Sequence, residues 1–197
     1  MQAYLAGLAT GLSLILAIGA QNAFVLKQGL MRRHVFATCA FCALSDAVLI
    51  VLGVMGAGAM AAHFPWFLPL MRWGGAAFLL VYGARALLAA WRGGGALHAS
   101  EAAPSLSATL VVIAALTWLN PHVWLDTVVL LGSLSSGFDR LPFAAGAVSG
   151  SFLFFFSLGY GARFLAPVFA RPKAWQVLDV CVGLVMWTIA FGLIVKG

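Results

Sequence analysis

The stretch LTWLNPHVWLDTVVLLGS, residues 116–133, places Asn120, Pro121, His122 and Asp126 inside an otherwise apolar segment. Proline removes a backbone hydrogen-bond donor and clashes with the preceding turn, so the stretch predicts a bend or an unwound turn around residues 117–121. An aspartate at the centre of a membrane helix costs about 2.5–3.5 kcal/mol on insertion scales. The pattern is therefore typical of a broken membrane helix that carries a polar site.

The composition of the whole chain agrees with this interpretation. The chain has 197 residues, of which 63% are hydrophobic and 8% charged, and its mean hydropathy is +1.05. These values exclude a soluble globular domain. A spanning helix needs about 20 apolar residues, so we predict an all-α polytopic membrane protein whose residues 1–197 form a single transmembrane domain. Six segments are long enough to span, at about 3–26, 36–62, 66–90, 106–134, 142–166 and 175–195.

The net charge of +6 predicts membrane topology rather than nucleic-acid binding, because the basic residues follow the loops. Basic residues favour the cytoplasmic side, so the odd-numbered loops are predicted to be cytoplasmic and both termini to lie on the far side, provided that all six segments span. The first segment lacks the basic start of a removable signal peptide. The odd loops and their flanks carry Lys27, Arg32, Arg33, Arg85, Arg92, Arg163, Arg171 and Lys173, whereas the other side has Arg72, Arg140 and Lys196.

An internal repeat relates the first segment to the fourth. LAIGAQNAFVLKQG, residues 16–29, aligns with the fourth segment when Asn22 is placed on Asn120. Each Asn lies in mid-segment beside a residue that weakens a helix, Gly19 in one case and Pro121 in the other. Two halves of three helices each, about 1–92 and about 104–197, would enter the membrane from opposite sides. The chain is therefore predicted to be an inverted repeat, a common construction of secondary transporters.

In such folds the substrate site forms near the midplane, where the broken helices meet and leave backbone groups free. Gln21 and Asn22 are available to satisfy these groups in the first segment, as Asn120 is in the fourth. His122 could take part in the site or could only satisfy backbone carbonyls. Trp118 and Trp124 could stack on a flat cation or could serve in packing.

Two aspartates, Asp46 in the second segment and Asp126 in the fourth, lie in the middle of apolar sequence. Intramembrane acids are functional by default, so we predict that both bind a substrate or an ion. The alternative is structural pairing, with His122, Ser45 or Thr127 as the partner within the protein.

The remaining charged residues of the segments are expected at their ends. Lys27, Arg72, Arg85 and Arg163 lie where they can extend to the membrane surface. Asp179 is close to the start of the last segment, where an acid favours the helix dipole, and is expected to act as a cap. The two central aspartates therefore have no committed internal cation and are suited to a cation from outside the protein.

The three cysteines, Cys39, Cys42 and Cys181, all fall within apolar segments. Cys39 and Cys42 share a helix face with Asp46 and Gly53, which favours a small-residue seam for close packing. The spacing is also that of a redox or metal motif. Because no cluster of His, Cys and Asp has ligand spacing, we expect neither a metal nor a cofactor.

The chain resembles the LysE family of amino-acid exporters, most closely its lysine and arginine branch. The resemblance runs through GAQNAFVLKQG (19–29), CALSDAVLI (42–50), GGAAFLLVYGA (74–84) and TWLNPHVWLDTVVLLGS (117–133). It implies a six-helix carrier of the bacterial inner membrane that exports arginine or lysine and is not an enzyme. The positions that match the family pattern are Gln21, Asn22, Asp46, Asn120, Pro121 and Asp126. The family usually has proline where this chain has Ala20, so Gly19 alone must weaken the first helix.

The resulting hypothesis assigns the cation of the substrate to Asp46 and Asp126, and its amino-acid moiety to Gln21, Asn22 and Asn120. Either aspartate could hold a proton while the site is empty and release it when the guanidinium or ammonium group of the substrate arrives, and this competition for one site gives antiport. Two alternatives stay open: export of another solute, either a neutral amino acid or a cation, and a membrane thiol–disulfide carrier. The expected partners are the basic amino acid, a proton, the lipid bilayer and, in a dimeric form, a second copy of the chain; nucleic acid is not expected.

Overall fold

A computed structural model describes residues 1–16, 19–56, 66–92 and 104–195, and all regular elements within these ranges are helical. The α-helices are α1 (Gln2–Ile15), α2 (Ala20–Met31), α3 (Val35–Val54), α4 (Phe67–Trp91), α5 (Leu106–Trp118), α6 (Pro121–Trp124), α7 (Leu131–Leu134), α8 (Arg140–Gly161) and α9 (Pro172–Val195). A π-helix over Leu125–Leu130 joins α6 to α7, and 3₁₀ turns cover Ser135–Gly137, Ala162–Leu165 and Val168–Ala170.

Four of these helices, α3, α4, α8 and α9, each contain a stretch that is long and apolar enough to cross a membrane. Two bent pairs meet the same criterion as units. α1 and α2 make an angle of 84°, and α5 makes an angle of 58° with residues 121–137. The described part of the chain therefore has four spans, or six if each bent pair crosses once. The prediction of a helical, multi-pass membrane protein is confirmed.

Two helix boundaries differ from those predicted. α2 continues to Met31 rather than ending near residue 26, and Arg32 then closes it in the left-handed conformation (φ 54°), with its N–H directed to the Gln28 and Gly29 carbonyls. α9 begins at Pro172, three residues before the predicted start, because proline is well accommodated at the first helical position. The predicted end of the second segment, near residue 62, lies outside the described residues.

The exposed surface of the bundle is rich in large apolar side chains, while the mostly apolar interior also holds a set of polar ones. Large apolar side chains such as Leu5, Val51 and Phe164 are exposed, as expected of surfaces that face lipid. The polar and charged side chains buried inside the bundle are Gln21, Gln28, Thr38, Ser45, Asp46, Thr109, Thr117, Asn120, Thr127, Ser135, Ser151 and Asp179. Because lipid offers no hydrogen bonds, each of these groups depends on the protein or on a ligand for its partners.

Small residues bring the helices together. α1 packs along α8 and α4 along α9, while α3 packs against α8 on one side and against the fourth span on the other. A methyl group on Gly7 of α1 would meet the Phe143 carbonyl of α8, and one on Gly146 would meet the Tyr4 carbonyl. The backbones therefore approach closely in the way that small residues permit in membrane bundles.

Gly74 and Gly75 of α4 provide a matched test of this packing. A methyl group on Gly75 would meet the carbonyl oxygen of Leu119, beside the fourth-span break, whereas one on Gly74 would meet nothing within 4 Å. We expect Gly75→Ala to lower the free energy of unfolding by about 1–3 kcal/mol and Gly74→Ala to leave it unchanged or raise it by about 0.5–1 kcal/mol. Thermal unfolding of the purified variants in detergent measures both; equal midpoints would contradict the close contact.

Candidate functional site

The first span is broken between α1 and α2. Gly19 is the N-cap of α2 and has an extended backbone (φ −108°, ψ 172°). The Asn22 Nδ2 atom donates a hydrogen bond of 2.8 Å to the carbonyl oxygen of Ile15, one of the groups that the end of α1 leaves without a helical partner. The break therefore forms with Ala20 in the place where the family usually has proline.

The fourth span breaks where the sequence predicts, because α5 ends at Trp118 and α6 begins at Pro121. Asn120 is the N-cap of α6, and its Oδ1 atom accepts a hydrogen bond of 3.1 Å from the backbone N–H of His122. Pro121 occupies the first helical position, where an N–H would have no helical partner. Asn120 thus satisfies a backbone group that the break exposes, as the membrane requires.

Two tryptophans brace this break. Trp124 Nε1 donates a hydrogen bond of 3.1 Å to the Trp118 carbonyl oxygen, and Trp118 Nε1 donates one of 3.2 Å to the Ser45 hydroxyl. The two rings are T-shaped, with centroids 5.7 Å apart. Of the two roles weighed from the sequence, these contacts favour packing. In this contact the Ser45 hydroxyl is the acceptor, and the hydroxyl that donates to Asp46 is that of Ser151.

Asp126 lies on the π-helix, a rare form that is frequent at functional sites. The Thr127 hydroxyl donates to the Val123 carbonyl oxygen at 2.5 Å, so it does not serve Asp126 as the sequence suggested. His122 is near enough to interact electrostatically with Asp126. Within the described residues, however, no ion pair of 4.0 Å or less joins them.

Both breaks open onto one cavity of about 300 Å³, a volume within the range of small-molecule sites. The break of the first span contributes three residues of the wall, the fourth span contributes four polar side chains, and α3 contributes one aspartate. Pro121, Trp118 and Trp124 shape the break without lining the cavity. The residues singled out from the sequence that line it are Gly19, Gln21, Asn22, Asp46, Asn120, His122, Asp126 and Thr127, and the apolar part of the wall includes Leu14, Ile15, Val123, Phe155 and Ile189.

Asp46 is buried in α3, with 3% of its surface exposed. Its Oδ2 atom accepts a hydrogen bond of 2.8 Å from the hydroxyl of Ser151 in α8. Sequence reasoning named other hydroxyls as partners and missed Ser151, which is 105 residues away along the chain. A serine hydroxyl positions the carboxylate but does not neutralise its charge.

Gln21 also faces the cavity with an unused group. Its side chain is buried and its amide is directed to the Cys42 thiol, while its Nε2 atom has no other hydrogen-bond partner among the described residues. Buried polar groups are nearly always paired. The amide of Gln21 is therefore a donor available to an acceptor on a bound molecule.

The one ion pair in the described part of the chain corrects two expectations. Lys27 Nζ lies 2.6 Å from Asp179 Oδ1, so Lys27 does not extend to the membrane surface. Asp179 is not a helix cap either, because the start of α9 at Pro172 makes it the eighth residue of the helix, fully buried. The cavity carboxylates of Asp46 and Asp126 have no bonded cation of this kind.

Two of the three cysteines are packed in the interior. Cys39 and Cys42 are buried and free, whereas Cys181 is exposed on α9. The Cys39 thiol donates a hydrogen bond of 3.2 Å to the Phe155 carbonyl oxygen, and a methyl group on Gly159 would collide with its sulfur. Within the described ranges, no three His, Cys, Asp or Glu residues are grouped as metal ligands.

Comparison with known proteins adds an independent finding. The model of the family described as LysE type translocator matches residues 12–197. The arginine exporter protein ArgO of Yersinia enterocolitica serotype O:8 / biotype 1B is 46% identical over 200 residues, which cover 98% of this chain and 97% of the relative. ArgO of Enterobacter sp. (strain 638) is 46% identical over 200 residues, with 98% and 94% covered. ArgO of Salmonella schwarzengrund is 44% identical over 201 residues, with the same coverage. No solved structure matches the chain.

Proposed function

Because the chain belongs to the LysE type translocator family, we propose that it exports basic amino acids, arginine above all, across the bacterial inner membrane. The observation that carries the proposal is the cavity between the two broken spans. Two carboxylates, Asp46 and Asp126, reach this cavity, and neither has a bonded cation among the described residues. A site with these properties suits a substrate whose side chain is positively charged.

Each part of the substrate has partners in the cavity. Asp46 and Asp126 bind the guanidinium or ammonium group, since charge-assisted hydrogen bonds are the strongest that a protein can offer. The Nε2 of Gln21, which has no oxygen acceptor among the described residues, donates to the substrate carboxylate, with Asn22 and Asn120 beside it. Gly19 contributes no side chain, and a methyl group there would meet nothing within 4 Å, so the wall at the first break stays open.

The packing supports the proposal that the two halves form an inverted repeat. The first span of each half packs against the second helix of the other half, α1 against α8 and the fourth span against α3. Asp46 is eleven residues from the start of α3 at Val35, and Ser151 is eleven residues from the start of α8 at Arg140. These two residues, bonded to each other, occupy equivalent positions, as a pseudo-two-fold axis near the site requires. Transport then proceeds by rocking of the two halves around the cavity.

Export of a cation from a cell with a negative interior costs about 2.3 kcal/mol per charge per 100 mV. A proton moving inward can supply this energy if proton and substrate compete for the same carboxylates. In the part of the chain that the structure describes, Asp46 is held by Ser151 and by no cation, so it can exchange a proton for the substrate. This competition couples the two fluxes without a further site.

The orientation that we propose follows the basic residues of the loops. With six spans, the loop after α2, the loop after α4 and the loop between α8 and α9 face the cytoplasm, and both termini lie outside. Arg72 at the opposite end of α4 donates hydrogen bonds of 2.5 and 2.9 Å to the Leu193 and Ile194 carbonyls at the end of α9. The Arg72 side chain therefore caps the end of α9, and its position does not indicate the cytoplasmic side.

Exchange in proteoliposomes tests the proposal. We expect vesicles loaded with arginine to exchange it for external labelled arginine and lysine, and at least about tenfold more slowly for citrulline, which has the length of arginine without its charge. Acidifying the outside by one pH unit should accelerate net efflux, because each unit is equivalent to about 1.36 kcal/mol of proton driving force.

The same assay distinguishes the alternatives. Citrulline exchange as fast as arginine exchange would indicate a carrier of neutral solutes and contradict the proposal. A variant without Cys39, Cys42 and Cys181 serves as the control and should keep full exchange. Loss of transport in that variant, with normal folding, would favour the thiol–disulfide carrier instead.

A further inference from the structure

A second cavity, of about 360 Å³, lies beside the other end of α2. The beginning of α2, at Gln21 and Asn22, lines the first cavity, whereas Phe24, Lys27 and Gln28 line the second. Five residues of α-helix, the separation from Asn22 to Lys27, span only about 7.5 Å. The two cavities therefore lie in tandem along α2, with the broken helix as their common wall.

Two buried polar atoms, one on the wall of this second cavity and one behind Lys27, lack hydrogen-bond partners among the described residues. The Thr109 side chain lines the cavity, is 2% exposed, and its hydroxyl makes no hydrogen bond within the described residues. Behind Lys27, the Oδ2 atom of Asp179 is also unpaired there, although its Oδ1 atom binds Lys27. The ion pair gives a partner to the Lys27 ammonium and to one of the two carboxylate oxygens of Asp179. It leaves the Thr109 hydroxyl unexplained, and such groups in native proteins call for a ligand or a water.

The charges around this cavity suit an amino acid with a cationic side chain. Lys27 and Arg33 on the wall can hold a carboxylate, to which the Thr109 hydroxyl can donate. The Tyr82 ring also lines the cavity; one of its faces is stacked on Phe78, and the other can receive a guanidinium. Asp179, once Lys27 turns toward the ligand carboxylate, can accept from the ligand ammonium. An anion alone would leave Asp179 without a partner, and a cation alone would be repelled by Lys27 and Arg33.

We propose that the second cavity is a further binding site for the transported basic amino acid, in tandem with the first and occupied at the same time. This inference rests on the proposed function, since it assumes the same substrate. In the empty site the Lys27 ammonium neutralises Asp179, and the ammonium group of the substrate takes its place on binding. When arginine binds, the Lys27–Asp179 ion pair is replaced by two others, Lys27 with the arginine carboxylate and Asp179 with the arginine ammonium. The Asp179 carboxylate therefore has a cationic partner both with and without the substrate.

Equilibrium dialysis of labelled arginine against the purified protein in nanodiscs tests the second site. We expect the wild-type chain to bind two arginines. Thr109→Val should weaken one of the two sites about fivefold, the effect of one hydrogen bond, and should leave the thermal midpoint unchanged or raised, because no protein partner is lost. Thr188→Val is the matched control: its exposed hydroxyl donates to the Leu184 carbonyl of its own helix, and it should bind like the wild type.

A second variant tests the charged part of the site. Lys27→Met combined with Asp179→Leu removes the ion pair without leaving a charge unpaired, and should bind one arginine, while Asp46→Asn should lose the other site. One arginine per wild-type chain, or two in the Lys27/Asp179 double variant, would overturn the second site and leave the proposed function intact. No arginine bound by the wild type at any concentration would overturn both.

Discussion

Asp46→Asn is expected to reduce arginine export by about 100-fold, because removal of one member of a buried charge pair typically costs 2–5 kcal/mol of binding. Asparagine has the size of aspartate and keeps an oxygen that can accept the Ser151 hydrogen bond of α8. The protein should therefore remain folded and inserted. Asp126→Asn should have an effect in the same direction, since Asp126 shares the cavity.

Release of labelled arginine from cells that express equal amounts of each variant measures this effect. Asp139→Asn is the control, because Asp139 precedes α8, is exposed, and makes no capping hydrogen bond through its side chain. It should export like the wild type. Export at the wild-type rate by both Asp46→Asn and Asp126→Asn would refute the assignment of these carboxylates to the substrate cation.

Lys27→Met is expected to lower the free energy of unfolding by about 3–5 kcal/mol, the cost of leaving a buried charge uncompensated. The charge in question is Asp179, whose side chain is fully buried against Lys27. Replacing both members, Lys27→Met with Asp179→Leu, should restore stability to about that of the wild type, because buried ion pairs and apolar pairs of similar volume are nearly equivalent.

Thermal unfolding of purified protein in detergent measures the stability of both the Lys27→Met variant and the Lys27→Met/Asp179→Leu variant. Lys173→Met, the same change at an exposed position in the first turn of α9, should leave the midpoint within one degree or two of the wild type, as surface substitutions do (about ±0.5 kcal/mol). A Lys27→Met protein as stable as this control would show that Asp179 does not depend on Lys27.

The breaks and the cavity wall could be predicted because their determinants are local. Pro121 ends a helix wherever it stands in an apolar segment, and Asn120 caps the helix that follows it. The alignment of Asn22 with Asn120 then led to Gly19 and Gln21, which lie on the same cavity. Local composition was likewise sufficient to predict a helical membrane protein.

The partners of the buried charges could not be predicted, because they depend on contacts between distant parts of the chain. Ser151 is 105 residues from Asp46, and Lys27 is 152 residues from Asp179. Asp179 looked like a cap because the segment was expected to begin near residue 175. Three additional residues of helix, beginning at Pro172, place it in the interior instead.

The packing of α1 against α8 constrains the order in which the protein can assemble. The end of α1 at Ile15 and the start of α8 at Arg140 are 125 residues apart, which a ribosome adds in about 6–25 s. Through that interval the glycine face of α1, at Gly7 and Gly11, has no helix to close against. α1 therefore completes its packing only after α8 has been inserted, so this contact forms late in the maturation of the protein.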